Sequence, residues 1–325
     1  MKYMDMHCDT LYKHMMRDYK DNLYKCKEDS IDLERMKKGN NICQFFAMFT
    51  TEGGDPIFKD YDFKKADSEI DSMSEFLFKS IKENSEIISI AKNYENILKN
   101  EEDDKMSAVL TIEGGHMIDD SLEKIKKYYD LGVRLITLTW NFENCLGYPN
   151  ALDFYENKKG LKKFGKEAIE YMKDLGIIVD VSHLSDGGFY DVADILKSPF
   201  VASHSNARNI TNHRRNLTDD MIKTLANNGG ISGINFASAF LNDRKDGYSS
   251  IEDIVVHLNY MKDKGGEDFV AIGTDFDGIE SKLEIDSPEK MYLLEDSLLK
   301  AGWNYRQIEK LFYKNTLRVI KDVMK

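Results

Sequence analysis

The sequence predicts an α/β protein built as a (β/α)8 barrel of the TIM type, on three observations. Short apolar runs rich in β-branched and aromatic residues recur along the chain. Each is followed by Gly, Asn, Asp or Ser and then by a segment with helical spacing. Carboxylate, imidazole or hydroxyl side chains stand at the ends of most of the runs. A doubly wound open sheet would share the alternation, but it gathers its polar residues at one switch point. A barrel instead builds its site from the loops after all its strands. With 325 residues and 42% hydrophobic content the chain can bury a full core. Only four prolines occur and no low-complexity tract or internal repeat is visible, so residues 1–325 are expected to form a single domain.

The first run, 3–8, leads into His7 and Asp9. Residues two apart on a strand project to one face, and an imidazole beside a carboxylate suits a divalent metal. Alone, that pair could equally be a hydrogen-bonded or exposed couple. Cys8, between them, points to the opposite face and is expected to be a buried apolar residue. The second run is 42–49, after which Ile70, Met73, Leu77 and Ile81 fall at helical spacing. The third, 107–112, runs into Glu113 and two glycines that permit close backbone approach. A carboxylate there faces the barrel mouth, where it can salt-bridge a loop cation or bridge two metals.

The fourth run is 133–139, followed by a helical segment at 161–175. The fifth, 177–182, and the sixth, 199–203, end in His183 and His204. Two imidazoles at matching ends of strands that should pair argue for shared metal ligation. Helical segments follow at 186–197 and 217–227, then the seventh run at 230–236 and a helix at 250–264. The eighth run, 268–274, delivers Asp275 and Asp277 to one face, with Gly278 opening a loop. An aspartate beside a metal-activated water can take its proton and return it to a leaving amine. Asp277 is read as an Asx-turn cap. Helices near 288–301 and 305–323 close the ring. Downstream of His204, Arg208, Arg214 and Arg215 offer guanidinium groups for a substrate carboxylate. His14, His116, His213 and His257 lack the strand-end placement and are expected to be structural or solvent-facing.

The balance of 45 Lys+Arg against 57 Asp+Glu gives a net charge of −12, with the basic residues scattered rather than aligned. Nucleic acid is therefore not an expected partner. No apolar run approaches the ~18 residues of a membrane span, so a soluble protein without membrane attachment is expected. Cys8, Cys26, Cys43 and Cys145 form no C-x-x-C pair, which fits free thiols in a reducing, cytoplasmic compartment. Removal of the N-terminus as a leader would discard His7 and Asp9.

These motifs together resemble the renal, or membrane, dipeptidase family of zinc peptidases. The resemblance rests on D-M-H-C-D-T at 5–10, E-G-G-H at 113–116, G-V-R-L-I-T-L-T at 132–139 and V-S-H at 181–183. It continues through S-H-S-N-A-R at 203–208, R-R-N at 214–216 and G-T-D-F-D-G at 273–278, in the family's order along nearly the whole chain. It implies two Zn2+ per chain, one on His7 and Asp9, the other on His183 and His204, with Glu113 and a water or hydroxide bridging them. It further implies that Asp275 is the catalytic aspartate and that Arg215 holds the substrate's C-terminal carboxylate. The implied substrates are dipeptides, including those with a C-terminal D-residue. Trp140 and Asn141 stand where mammalian members carry a histidine thought to touch the substrate or its oxyanion. That role is not expected to carry over, since an indole donates one hydrogen bond and bears no charge. Both are kept as candidate substrate-binding residues, Trp140 as a pocket wall. On the residues alone two other readings stay open: a metal-barrel hydrolase of esters, lactams or N-acyl amino acids, and a non-catalytic metal- or ligand-binding barrel. The oligomeric state, homo-oligomer included, is left open.

Overall fold

In a computed structural model, which describes residues 1–50 and 63–325, the alternation folds into a ring of parallel strands surrounded by helices. The strands are β1 (Tyr3–Cys8), β2 (Asn41–Phe49), β3 (Ile88–Ile90), β4 (Met106–Glu113), β5 (Val133–Thr137) and β6 (Ile178–Asp180). They continue with β7 (Val201–Ala202), β8 (Ile231–Ile234), β9 (Tyr248–Ser249), β10 (Val270–Ile272) and β11 (Lys282–Leu283). The ring order is β1-β2-β4-β5-β6-β7-β8-β10, every neighbour parallel. It comes round on itself just past the strand ends, where Cys8 bridges Phe276 and the Asp9 N–H donates to the Phe276 carbonyl at 2.9 Å.

Each of the eight expected runs supplies one ring strand, and the barrel is as the sequence predicted. Every ring strand contributes to one buried apolar cluster: Met4 and Met6, Cys43 and Phe45, then Val109, Leu135, Ile178, Val201, Ile231 and Ala271. Val319 and Ile320 from the C-terminal helix and Met324 just past its end join it. A second, larger cluster lies between the ring and the helices. Helix Lys163–Leu175, for example, buries Ala168, Ile169 and Met172 at helical spacing. Side chains fix several helix starts: Ser185 accepts from the Gly188 N–H, Thr218 from the Met221 N–H, and Ser250 forms a reciprocal capping box with Asp253.

Three features differ from the sequence expectation. Strands β6 and β7 are shorter than 177–182 and 199–203, because Ser182, Ser203 and the histidines after them leave the ladder to turn into the mouth. β3 is an additional strand; it pairs with Met106–Ala108 of β4, a stretch that β5 does not reach because its pairing starts at Leu110. β9 and β11 form a separate two-stranded sheet in the loops above β8 and β10. Among the described residues no helix is long and apolar enough to cross a membrane.

Candidate active site

The five expected ligands arrive from the ends of four of the eight ring strands. His7 and Asp9 come from the end of β1, Glu113 is the last residue of β4, and His183 and His204 follow β6 and β7. Their reactive atoms converge. The Nε2 atoms of His183, His204 and His7 lie 3.0, 3.4 and 3.7 Å from one oxygen, Oε1 of Glu113. His183 Nε2 is 3.1 Å from His204 Nε2, and His7 Nε2 is 3.2 Å from Asp9 Oδ2. Asp275 enters from the loop after β10, with its Oδ1 3.7 Å from His7 Nε2. All six residues are buried.

Backbone conformation aims these groups. His183, Asp275 and Asp277 adopt φ values of 69°, 62° and 69°, in the left-handed region that L-residues populate sparsely. Gly278 is required by close approach: a Cβ there would stand 2.0 Å from Asp9 Oδ2 and 2.5 Å from Asp275 Oδ1. Gly114, at φ 83°, lets the chain turn away directly after Glu113.

The electrostatics are those of a buried cluster of carboxylates and imidazoles. Burial opposes a charge on His7, but Glu113 and Asp9 outweigh it and push the imidazole up to about 10. Burial, aided by Asp9, holds the Glu113 carboxyl well above the usual carboxylate range. Burial also raises Asp275 to about 7, partly offset by His7. His183 and His204 move the other way, kept neutral first by burial and then by the nearby cations Arg215 and His7. His7 Nδ1 and Asp9 Oδ1 are buried without a hydrogen-bond partner among the described residues. Two triads, His7–Glu113–His204 and His7–Asp9–Asp275, have their donor atoms within 4.8 Å of one another. Neutral imidazoles with carboxylates are the donor set of a borderline divalent cation, so the residues fit a metal centre.

The three arginines differ in what already engages them. Arg208 is committed to Asp186 through two hydrogen bonds of 2.7 and 2.8 Å, and Arg214 stands half-buried with its Nε, like that of Arg215, unpartnered among the described residues. Arg215 is buried beside the cluster; among the described residues its guanidinium makes long contacts of 3.3 and 3.4 Å to Ser205 Oγ and the His204 carbonyl, lies 5.4 Å from the Phe240 ring centroid and leaves Nε unpartnered. Burial lowers its guanidinium to about 10, with Asp275 and Glu113 opposing, so it remains charged at neutral pH. Trp140 lines a cavity of about 410 Å³ with Asp9, Tyr12, Phe49, Glu113 and Ile279, and packs 4.8 Å from the Phe49 ring. Asn141 accepts through Oδ1 from His183 Nδ1 at 2.9 Å, which leaves His183 Nε2 facing the cluster.

One contributor was not read from the sequence, and another was read too narrowly. Asn235, past the end of β8, donates to Asp275 Oδ2 at 2.8 Å; its place at the end of the seventh expected strand was the available signal. Asp277 does more than cap a turn: it accepts from Thr10 Oγ1 and from the N–H groups of Ser30 and Ile31, tying the segment after β1 to the mouth. Cys8 Sγ donates to the Phe45 carbonyl rather than joining the ligands.

A sequence model of a family described as membrane dipeptidase, peptidase family M19, matches residues 1–325. A protein of Klebsiella pneumoniae described by its place in the pqqA 5' region is 35% identical over 230 residues, 68% of this chain and 84% of its own. An uncharacterized dipeptidase of Schizosaccharomyces pombe is 31% identical over 299 residues, 89% of this chain and 71% of its own. Among solved structures, an M19 metallopeptidase called dipeptidase AC superimposes with a TM-score of 0.91 at 25% identity, covering 100% of this chain and 99% of that one. A metallopeptidase of Rhodobacter sphaeroides, solved with a phosphinate mimic of the dipeptide L-Ala-D-Ala, also gives 0.91, at 24% identity and 99% coverage of both chains.

Proposed function

Because the chain belongs to the membrane dipeptidase family, peptidase family M19, we propose that it hydrolyses dipeptides with two zinc ions, one on His7 and Asp9 and one on His183 and His204, bridged by Glu113. The observation that carries the two-ion reading is the convergence of three imidazole Nε2 atoms on one Glu113 oxygen, with Asp9 and Asp275 alongside. Zinc, when bound, polarises the scissile carbonyl and lowers the pKa of water toward ~7.

This chain's own residues supply the rest. Asp275 takes the proton of the attacking water and passes it to the departing amine; it stands beside the ligand atoms, with Oδ1 3.7 Å from His7 Nε2, and is held there by Asn235. Arg215 receives the substrate's C-terminal carboxylate in a bidentate fork, satisfying donors that are now poorly paired. Trp140 and Phe49 wall the cavity that takes the N-terminal residue, and Asn141 keeps His183 oriented. A carboxylate clamp this close to the ligands leaves room for one residue beyond the scissile bond. The L-Ala-D-Ala mimic in the Rhodobacter sphaeroides relative supports tolerance of a C-terminal D-residue here. The free state of all four cysteines supports a cytoplasmic location.

The test is a panel of dipeptides, their C-terminal amides and matched tripeptides, incubated with zinc-reconstituted protein and scored by amino-acid release. Dipeptides should be cleaved fastest. Equal turnover of a dipeptide and its amide would remove Arg215 from its role.

A further inference from the structure

The three ligand imidazoles are backed differently. His7 has the carboxylate of Asp9 beside Nε2 and no partner on Nδ1 among the described residues. His183 Nδ1 meets the neutral amide oxygen of Asn141. His204 Nδ1 lies 2.7 Å from Ser203 Oγ, and that hydroxyl lies 2.5 Å from Oδ2 of Asp180, the last residue of β6. Asp180 and Ser203 are both completely buried. The carboxylate also accepts from Thr137 Oγ1 at 2.6 Å and from the N–H groups of Ser203 and Ser182 at 2.8 and 3.0 Å.

Proton counting fixes the direction of this chain. A carboxylate held by four donors can only accept, so the single hydroxyl proton of Ser203 goes to Asp180. The contact to His204 must then be made by an Nδ1–H donated to Ser203 Oγ, which leaves the Nε2 lone pair pointing at Glu113 and His183. The pair His183 and His204 brings two neutral imidazoles to its position and no carboxylate of its own apart from the shared Glu113. The His7 position has Asp9 directly.

We propose that Asp180 and Ser203 are positioning residues for the cation held by His183 and His204: they lock the His204 tautomer and lend its imidazole, one serine removed, the negative charge that this position lacks. The inference rests on the two-cation reading above. Hydrogen bonds in series polarise one another in a dry interior, and loss of such an outer partner typically costs ~10- to 100-fold in metal affinity.

The experiment compares zinc affinity, by chelator competition, in the wild type, Ser203→Ala and Thr137→Val. Each variant removes one donor from Asp180, but only Ser203→Ala breaks the link to an imidazole. The expected result is that Ser203→Ala weakens one zinc equivalent ~10- to 100-fold and leaves the other, while Thr137→Val changes neither by more than a few-fold. Equal affinities in Ser203→Ala and wild type, or equal weakening in both variants, overturns the proposal. Wild-type stoichiometry is read separately: a single equivalent would refute the two-cation reading, and the relay would then stand or fall on whether Ser203→Ala weakens that equivalent. A second measurement needs no variant. Imidazole 1H–15N spectra of the zinc-loaded wild type should show His204 protonated at Nδ1, and an Nε2–H tautomer would overturn the assignment.

Discussion

Asp275 and Asp277 stand two residues apart in one turn, yet their surroundings assign them different work. Asp275 faces His7 and is held by Asn235, whereas Asp277 spends its oxygens on Thr10, Ser30 and Ile31. Asp275→Asn should therefore keep the fold and the metals and lose ~10²- to 10⁴-fold in kcat, the usual scale of lost acid–base catalysis. Asp277→Asn should show its main effect as a lower denaturation midpoint. Steady-state kinetics with metal analysis distinguishes them; near-normal kcat in Asp275→Asn with both metals present would mean the wrong aspartate was chosen. The cluster also predicts a pH dependence of loading. In the metal-free chain His7 is raised to about 10, so it holds a proton at pH 7, and burial shifts Glu113 in the same direction. Cations bind the deprotonated forms, so affinity should rise with pH and loading near pH 7 should release protons, detectable with an indicator dye in weak buffer. Zinc uptake without proton release would contradict this electrostatic picture.

At the scale of elements, strand ends and the turns after them decide which side chains reach the mouth. Much of this was legible: H-x-D after the first run and a histidine after both the fifth and sixth are patterns of spacing, and spacing survives into three dimensions. What the sequence could not show was the partner of each group. Asn141 bonding His183, Asn235 bonding Asp275 and Asp180 reaching His204 through Ser203 all join residues on different strands, and only the ring's register brings them together. The choice of Arg215 over Arg208 and Arg214 came from family resemblance; in the fold Arg208 is paired with Asp186, and Arg215 is buried with its guanidinium against Ser205 Oγ and the His204 carbonyl. The glycine opening the loop after β10 yields an element-scale prediction. Gly278→Ala would place a methyl group 2.0 Å from Asp9 Oδ2, so it should impair metal binding at His7 and Asp9 far more than it lowers thermal stability. Metal content measured beside circular dichroism checks this, and full metal retention would show that the loop yields freely.

For the whole molecule, the barrel was readable because eight β-rich runs alternate with amphipathic segments, and every ring strand sends at least one side chain into the shared core. β3 and the β9–β11 pair escaped notice because runs of two or three residues carry no periodicity. Phe45, almost fully buried in that shared core, is a measure of it: Phe45→Ala should cost about 3–5 kcal/mol, read from chemical denaturation, and a loss under 1 kcal/mol would mean the ring interior is not tightly packed. The central claim, that this ring presents a two-zinc dipeptidase site, is tested most directly by titrating zinc into metal-free protein while following amino-acid release from a dipeptide. The account predicts no release without metal and a rate that reaches its plateau at two equivalents per chain. Full activity in the metal-free protein, or a plateau at one equivalent that a second does not raise, would contradict it.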